Sequence, residues 1–371
     1  MTGQPFVPPP YPYDRLDTLK PLADRHVGGV VDLSIGTPCD PPPSEVVEAL
    51  ASSGAERGYP PSIGIPRLRE AIAEWFDRRL AVEISPAHIA AAIGTKELVA
   101  GLPNYMRLRT PDRDTVLYPE ISYPSYAMGA TLGGCRAVPV RVDERWRIDL
   151  SSIDRSDIDR ALLLWVNTPG NPAGNVDDLG AAAEWGRRHR VPVFSDECYA
   201  EFTWSGPRRS VLQHGHEGVV AVHSLSKRSN LAGVRVGFYA GDPDLVLYLS
   251  EVRKHAGFMV PGPAQAAGIA ALGDDAHVEV QRERYLRRMK RMAEGLAAVG
   301  VSAPLPEGGF YLWAPAPEGD AWAFTEFLAR EAGALVSPGE FYGAAGADHI
   351  RVAVVRDDDA IERVASRLET I

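Results

Sequence analysis

Short apolar runs separated by longer amphipathic stretches recur through the middle of the chain. The runs 162–166 and 219–222 are almost entirely apolar, which is typical of strands buried on both faces of a parallel sheet. Further strands are predicted over 89–93, 115–118 and 191–195. From Pro66, apolar residues instead lie at helical spacing on one face: Leu68, Ile72, Trp75, Phe76 and Leu80. The alternation of strands and helices predicts an α/β fold, with a mostly parallel sheet covered by helices on both faces.

The two ends of the chain show other patterns. Residues up to about 43 are rich in proline, which fixes φ and lacks an amide donor, so we expect an extended, irregular arm with one short strand near 30–33. Ser44 is the predicted cap of a helix that runs to about 51. Towards the C-terminus, a long charged helix with one apolar stripe covers about 279–296, and a β-like alternation covers 349–354.

Composition narrows the class of protein. The chain has 371 residues, of which 45% are hydrophobic, enough for a sizeable core and two domains. A net charge of −10 argues against a general nucleic-acid binder. No apolar run approaches the roughly 20 residues of a membrane span, and the N-terminus lacks a signal-peptide pattern. Because Cys39, Cys135 and Cys198 lack CxxC spacing, neither a disulfide framework nor a zinc site is expected, and the simplest location is the cytoplasm.

The segment 224–237 carries unusual chemistry directly after an apolar run. Lys227 lies among hydroxyls and glycines just beyond a predicted buried strand, where desolvation would keep its amine partly neutral and nucleophilic towards an aldehyde. Ser224, Ser226 and Arg235 are donors of the kind that bind phosphate. Taken alone, the segment is also compatible with a solvated lysine in a basic loop.

This segment resembles the lysine segment of fold-type I pyridoxal-phosphate (PLP) enzymes, and specifically that of the class I/II aminotransferases. The resemblance implies that Lys227 binds the cofactor covalently, and that Ser224, Ser226 and Arg235 bind its phosphate. It covers nearly the whole chain after the N-terminal arm, with its motifs in family order. The implied architecture is a large PLP-binding domain over 44–260 and a smaller α+β domain formed by the arm, 1–43, together with 261–371.

Two further segments match positions that contact the cofactor in this family. The turn Gly94-Thr95-Lys96 joins a predicted strand to a helix, and such a turn offers backbone amides and a positive helix end to a phosphate. Tyr123 matches the aromatic residue that stacks on the cofactor ring. Many strand-to-helix turns look alike, so the first assignment depends on the resemblance.

Two polar segments follow predicted parallel strands. The resemblance implies that Asn171 donates to the phenolic oxygen O3′ of the cofactor and also faces the substrate. It implies that Asp196 pairs with the pyridine nitrogen and that Tyr199 donates to O3′ from the opposite side. The alternatives are a tight Asn-Pro turn at Asn171 and a helix-capping aspartate at Asp196.

Three residues are assigned to the substrate or to a second subunit. By resemblance, the backbone of Gly36 approaches the substrate carboxylate and Arg351 binds that carboxylate bidentately. The alternative for Arg351 is a surface arginine paired with Asp357 or Asp358. Tyr59 matches a tyrosine that reaches the cofactor phosphate of the neighbouring subunit, which implies a homodimer with shared active sites; its alternative is a packing role.

The implied reaction moves an amino group between an amino acid and a 2-oxo acid by a ping-pong path, with Lys227 as general base and then acid. Five stretches are most similar to actinobacterial-type N-succinyldiaminopimelate aminotransferases of lysine biosynthesis: 94–103, 195–199, 224–237, 253–257 and 339–343. This similarity implies N-succinyl-LL-2,6-diaminopimelate and 2-oxoglutarate as substrates. The serine-free segment 167–171 and Gly309 depart from the usual pattern and leave other amino acids open. Arg253 and Lys254 are interpreted as surface charges, with contact to a distal substrate carboxylate as the alternative.

Other functions stay open at this point. A PLP enzyme of another reaction type, such as a β-lyase, a decarboxylase or a cyclase, would keep the same cofactor residues. A nicotinamide dehydrogenase could share the sheet, but no GxGxxG follows the early strands. A PLP-sensing transcription regulator would need an added basic domain, for which neither the charge nor the length leaves room.

Overall fold

A computed structural model describes residues 5–55 and 57–371. Its strands in chain order are β1 (Val31–Asp32), β2 (Ile89–Ala92), β3 (Thr115–Pro119), β4 (Arg136–Val140), β5 (Ala161–Asn167), β6 (Val193–Asp196), β7 (Val219–Ser224), β8 (Gly237–Gly241), β9 (Tyr311–Pro315), β10 (Ala334–Leu335), β11 (Ser337–Pro338) and β12 (His349–Ala353). Its α-helices are α1 (Lys20–Ala23), α2 (Ser44–Ala51), α3 (Pro66–Leu80), α4 (Lys96–Arg109), α5 (Ser125–Leu132), α6 (Arg155–Arg160), α7 (Leu179–His189), α8 (Leu225–Arg228), α9 (Pro243–His255), α10 (Gly262–Gly273), α11 (Ala276–Ala298), α12 (Ala321–Phe327) and α13 (Asp358–Glu369).

The largest element is a seven-stranded sheet in the order β2-β8-β7-β6-β5-β3-β4. β8 runs antiparallel to both of its neighbours, and the other neighbouring strands are parallel. All the strands predicted from apolar runs belong to this sheet. The predicted α/β fold with a mostly parallel sheet is therefore confirmed.

The sheet is buried on both faces because helices cover each of them. In β5, Leu164 and Val166 pack on one face with residues of α3, α7 and α10. Leu163 and Trp165 point to the other face and pack with residues of α4, α5 and α9. The alternation follows from the two-residue period of a strand, and it explains why β5 contains no polar residue before Asn167.

A second core is built from the C-terminal part of the chain and the N-terminal arm. β11, β12 and β9 form an antiparallel sheet, and β1 pairs in parallel with β10. The long helix α11 packs along α13, and the shared core includes Met289, Leu296 and Val364. No helix among the described residues is both long and apolar enough to cross a bilayer.

Helix α10 packs with the first core, although the predicted domain limits place it in the smaller domain. Its Ala264, Ala267 and Leu272 are buried against Val46 and Leu68. The next helix, α11, is the first C-terminal element of the second core. We therefore propose that the C-terminal domain limit lies near 274–276 rather than after 260.

The arm is more ordered than the proline-rich sequence indicated. A 3₁₀ helix spans Pro12–Thr18 and is followed directly by α1. Pro12 fits the first turn because its fixed φ suits a helix start, and Leu16 and Ala23 are buried. The expected cap at Ser44 is also wrong, because Pro43 occupies the cap position and the Ser44 hydroxyl donates instead to Glu45 Oε2 at 3.1 Å.

Candidate active site

The carboxyl ends of β5, β6 and β7 open into a cavity of about 270 Å³ between the two cores. Parallel α/β sheets place their ligands at this edge. Twelve of the predicted site residues line the cavity: Gly36, Thr95, Lys96, Tyr123, Asn171, Asp196, Tyr199, Ser224, Ser226, Lys227, Arg235 and Arg351. Residues to which no individual role was assigned also line it, among them Tyr11, Tyr13, Asn167, Cys198 and Tyr311.

Lys227 projects into the cavity from the short helix α8. Ser224 caps this helix: its Oγ accepts the amide of Ser226 at 3.1 Å and lies 2.9 Å from the Ser226 hydroxyl. The Lys227 ammonium donates to the carbonyl oxygen of Gly36. Burial of this amine lowers its pKa to about 8, so that the neutral, nucleophilic form is accessible near neutral pH. The alternative of a solvated loop lysine is excluded by this position.

Asp196 stands at the end of β6 and is 6% exposed. Its Oδ2 accepts the hydroxyl of Tyr126 at 2.9 Å, and its Oδ1 accepts the amide of Cys198 at 3.2 Å. Burial raises the pKa of this carboxyl group. Among the described residues no lysine or arginine forms an ion pair with it, so the site can accept a cationic ring nitrogen from a ligand.

Tyr126, three residues after Tyr123, was not among the predicted site residues. It does pack, with its ring stacked on Trp165 at 5.0 Å between centroids. Its hydroxyl also anchors Asp196, which the sequence did not reveal because a buried aromatic residue next to a helix start looks like ordinary core. Tyr123, one turn earlier, lines the cavity and meets Tyr126 edge to face.

A group of donors converges on one end of the cavity. Gly94 has φ 67°, and a Cβ at this position would lie 2.1 Å from Nη2 of Arg235, so only glycine lets the two approach. Helix α4 begins just after this turn, with its first amides free of intrahelical partners. Together with the hydroxyls of Ser224 and Ser226, these donors form a cradle of the kind that holds a phosphate.

Arg253 stabilises the turn 94–96 from outside the cavity. Its guanidinium donates to both carboxylate oxygens of Glu97, at 2.7 and 2.6 Å, and Glu97 accepts the amide of Ile93 at 2.9 Å. Arg253 is 1% exposed, so the expectation of a surface charge is wrong, as is contact with a substrate. Lys254 is indeed on the surface, next to Glu251 at 3.5 Å.

Lys96 lies at the cavity wall rather than in the cradle. Its side chain turns towards the arm, with Nζ 3.3 Å from the hydroxyl of Tyr11 and 4.9 Å from the centre of that ring. A role in phosphate binding therefore depends on its backbone amide.

Arg351 is the second buried cation of the cavity. It lies in β12 with 1% of its surface exposed, and it donates to Asn171 Oδ1 at 2.7 Å and to the carbonyl oxygen of Ser34. Its guanidinium carbon lies 4.2 and 4.6 Å from the ring centres of Tyr311 and Tyr342. No described carboxylate forms an ion pair with it. A buried guanidinium with that environment can receive a carboxylate.

The alternative for Arg351, a surface pair with one of two aspartates, is wrong. Asp357 caps α13 by accepting the amide of Ala360 at 2.7 Å. Asp358 pairs with Arg288 at 2.6 Å.

Two predicted site residues lie outside the set that lines the cavity. Gly94 lies behind the cavity wall, where it contacts the guanidinium of Arg235. Tyr59 is 95% exposed, so it has no contact with the cavity of its own chain, and its predicted contact with a second subunit stays a prediction.

The sequence model of the family described as aminotransferase class I and II matches residues 28–368. The chain belongs to the class I and II aminotransferases. It is a PLP-dependent transaminase, as the cofactor of that family and the activity of its relatives indicate. The dehydrogenase and the transcription regulator are therefore no longer open.

The similarity to relatives and to solved structures extends over almost the whole aminotransferase chain. The 4-dedimethylamino-4-oxo-anhydrotetracycline transaminase OxyQ of Streptomyces rimosus is 42% identical over 368 residues, 97% of this chain and 99% of OxyQ. An LL-diaminopimelate aminotransferase of Dehalococcoides mccartyi is 31% identical over 97% of this chain and 96% of the relative. Substrate-bound BacF of Bacillus subtilis superposes with a TM-score of 0.90 at 27% identity, covering 99% of this chain and 98% of BacF. A probable N-succinyldiaminopimelate aminotransferase of Thermus thermophilus gives 0.87 at 32% identity, covering 96% and 99%.

The cavity of this aminotransferase fits PLP chemically. The cradle around Gly94 and Arg235 brings several hydrogen-bond donors together, which suits a group with several acceptor oxygens such as a phosphate. Asp196 is a buried carboxylate without a described cationic partner, and Lys227 offers an amine of lowered pKa to an aldehyde. Each of the three polar ends of PLP therefore has a complementary group.

Proposed function

We propose that this aminotransferase works through Lys227, which carries the cofactor and moves the proton at the substrate Cα. The proposal is carried by one observation: a single cavity contains an amine of lowered pKa, the buried carboxylate of Asp196 and the buried guanidinium of Arg351, and neither of the last two forms an ion pair with any residue that the structure describes. PLP, when bound, withdraws electrons and stabilises negative charge at the substrate Cα. Lys227 would first remove the Cα proton as a base and would then deliver it as an acid to C4′, the cofactor carbon that carries the aldehyde oxygen in free PLP.

The other residues hold the reactants in place. We assign phosphate binding to Ser224, Ser226, Arg235 and the amides of the turn 94–96. Asp196, held by Tyr126, keeps the pyridine nitrogen protonated by staying ionised beside it. Asn171 and Tyr199 would donate to the phenolic oxygen, and Tyr123 would stack on the ring.

On the substrate side, Arg351 binds the α-carboxylate, and Gly36 lets the substrate approach the backbone. Arg351 is already oriented by Asn171 and Ser34, so little order is lost when a carboxylate arrives. With water supplying the carbonyl oxygen, the donor would leave as a 2-oxo acid while its amino group stays on the cofactor. Its amino group is then passed to the carbonyl carbon of a second 2-oxo acid, so the kinetics should be ping-pong.

For the substrate, we propose N-succinyl-LL-2,6-diaminopimelate with 2-oxoglutarate as acceptor. Support comes from the five sequence stretches named above and from similarity to the Thermus thermophilus structure. The LL-diaminopimelate aminotransferases among the relatives support a donor with the same diaminopimelate skeleton. A second candidate is a 4-oxo compound of the kind named for OxyQ, because OxyQ has the higher identity, 42%.

We further propose a homodimer in which Tyr59 of each copy reaches the other copy's site. Its 95% exposure in one chain supports a partner-facing position. A cytoplasmic location stays a prediction. Light scattering of wild type and Tyr59→Ala, with cofactor affinity as the second readout, tests the dimer and the shared site separately.

A donor–acceptor screen on the purified holoenzyme tests the proposed reaction. N-succinyl-LL-2,6-diaminopimelate and LL-diaminopimelate are offered with 2-oxoglutarate, and glutamate is measured; the 4-oxo compound is offered with glutamate, and 2-oxoglutarate is measured. Faster glutamate formation from the succinylated donor supports the proposed substrate. Consumption of a donor without glutamate would indicate a lyase, decarboxylase or cyclase instead.

Lys227→Ala is the matched control for that screen. It should abolish turnover with every pair, because no other described amine lines the cavity at this position. Appreciable turnover by this variant would contradict the role of Lys227.

A further inference from the structure

Tyr311 touches three groups of the site although it was not assigned a role. It begins β9 and is 2% exposed. Its hydroxyl lies 2.8 Å from the hydroxyl of Tyr199, and its ring lies 4.2 Å from the guanidinium of Arg351. A Cβ on Gly36 would lie 2.1 Å from the Tyr311 hydroxyl, so the absence of a side chain at Gly36 makes room for this hydroxyl.

We propose that Tyr311 is a positioning residue that orients the Tyr199 hydroxyl towards the cofactor. The inference rests on the proposed role of Tyr199. A tyrosine hydroxyl has one proton, and Tyr199 uses it when it donates to the phenolic oxygen O3′. The 2.8 Å bond must then take its proton from Tyr311. Tyr311 thus fixes the direction of the Tyr199 proton, and the chain of two hydrogen bonds strengthens the second one.

The hydroxyl and the ring of Tyr311 have separable effects. The ring supports Arg351 by a cation–π contact, which a phenylalanine would keep. The hydroxyl alone bonds to Tyr199. Tyr311→Phe therefore removes the proposed effect on Tyr199 and keeps the ring's contact with Arg351. If Tyr311 had only a structural role, this substitution would not affect Tyr199 separately from Arg351.

The first readout is the pH midpoint of the visible absorbance change of the bound cofactor. A hydrogen bond to the phenolic oxygen favours its ionised form, so weakening that bond raises the midpoint. Tyr311→Phe should raise it by about 0.5 to 1 pH unit, with the KM for the amino acid changed less than about twofold. The thermal midpoint of each variant is recorded to verify folding.

Tyr285→Phe is the matched control. Tyr285 is buried in the same core, and its hydroxyl has no hydrogen-bond partner among the described residues. It should leave the absorbance midpoint unchanged.

Tyr199→Phe and the double variant separate failure of this inference from failure of the proposed site. If Tyr199→Phe raises the midpoint and adding Tyr311→Phe raises it no further, the coupling is supported. A shift in Tyr199→Phe but none in Tyr311→Phe, or shifts that add in the double variant, overturn the role of Tyr311 alone. No shift in either single variant overturns the assignment of Tyr199 and the inference with it.

Discussion

Two arginines of this aminotransferase are equally buried, at 1% exposure each, and they are held in opposite ways. Arg253, behind the phosphate cradle, donates to both oxygens of Glu97 at 2.7 and 2.6 Å. Arg351, in the cavity, has two tyrosine rings and neutral oxygens around it and no described carboxylate. Burial alone therefore does not tell a structural arginine from a binding one.

The difference lies in where the compensating charge comes from. A buried ion pair that already contains its anion is complete, and breaking it leaves a charge without a partner. A buried cation surrounded by neutral acceptors is stabilised enough to stay in place, yet its charge is free for a ligand that comes and goes. We therefore propose that Arg253 stabilises the scaffold and that Arg351 binds the exchanging substrate.

The largest expected effect is the loss of catalytic efficiency in Arg351→Leu. Loss of two charge-assisted hydrogen bonds to the substrate, roughly 4 kcal/mol together, should lower kcat/KM for the amino donor about a thousandfold. The free energy of unfolding should fall by less than in Arg253→Leu, because no carboxylate is left unpaired. Steady-state kinetics and urea unfolding check both statements. A kcat/KM equal to that of wild type would contradict the proposed binding of the substrate carboxylate by Arg351.

Arg253→Leu should have the converse profile. It leaves Glu97 partly buried without its partner, so the free energy of unfolding should drop by about 3 kcal/mol, while KM at saturating cofactor stays near that of wild type. Lys254→Leu is the matched control at the adjacent, exposed position and should change stability by less than about 0.5 kcal/mol. If Arg253→Leu and Lys254→Leu lowered the free energy of unfolding equally, the structural role of the Arg253–Glu97 pair would be contradicted.

Lys227 extends the comparison to an amine that forms no ion pair with the acidic residues in the described part of the chain. Its pKa in the folded apoenzyme is lowered to about 8 from 10.5 because burial disfavours the charged amine. The unfolded chain therefore binds more protons between these two values, and the free energy of unfolding should rise with pH across that window. Lys227→Met should remove about 3 kcal/mol of this dependence, measured by chemical unfolding of the apoenzyme at several pH values. An identical pH dependence in the variant would contradict the burial of the amine.

The smallest effect concerns a third arginine, Arg235, which like Arg351 forms no ion pair with a described carboxylate. Gly94→Ala strains a residue with φ 67° and pushes its Cβ into the Arg235 guanidinium, so the Kd for PLP should rise about tenfold. Gly233→Ala is the control, because nothing lies within 4 Å of a Cβ there. Fluorescence titration of the two apoenzymes gives both constants. Equal Kd values for PLP in Gly94→Ala and Gly233→Ala would contradict the assignment of Arg235 to phosphate binding.

Much of the site could be predicted because its chemistry is local in sequence. The strand ends that carry Asn171, Asp196 and Lys227 follow apolar runs, and parallel strands bring such ends to one edge. Arg351 could be assigned by resemblance, although only the pairing of β12 with β9 and β11 shows that it is buried.

The rest could not be predicted because it depends on contacts between distant segments. The hydroxyls of Tyr199 and Tyr311 are 112 positions apart, and Arg253 meets Glu97 across 156 positions. Their sequence surroundings resemble ordinary core and ordinary surface. The order of the arm is a tertiary effect of the same kind, since its buried Leu16 and Leu19 pack with Trp313 and Phe341.

The most direct test of Arg351 as the carboxylate receptor is the affinity of the holoenzyme for glutarate, which has the two carboxylates of 2-oxoglutarate and no reacting carbonyl. Titration calorimetry on wild type, Arg351→Leu and Arg253→Leu compares the two arginines in one experiment. The account predicts a Kd raised about a hundredfold in Arg351→Leu and changed less than about twofold in Arg253→Leu. Wild-type affinity in Arg351→Leu would contradict it.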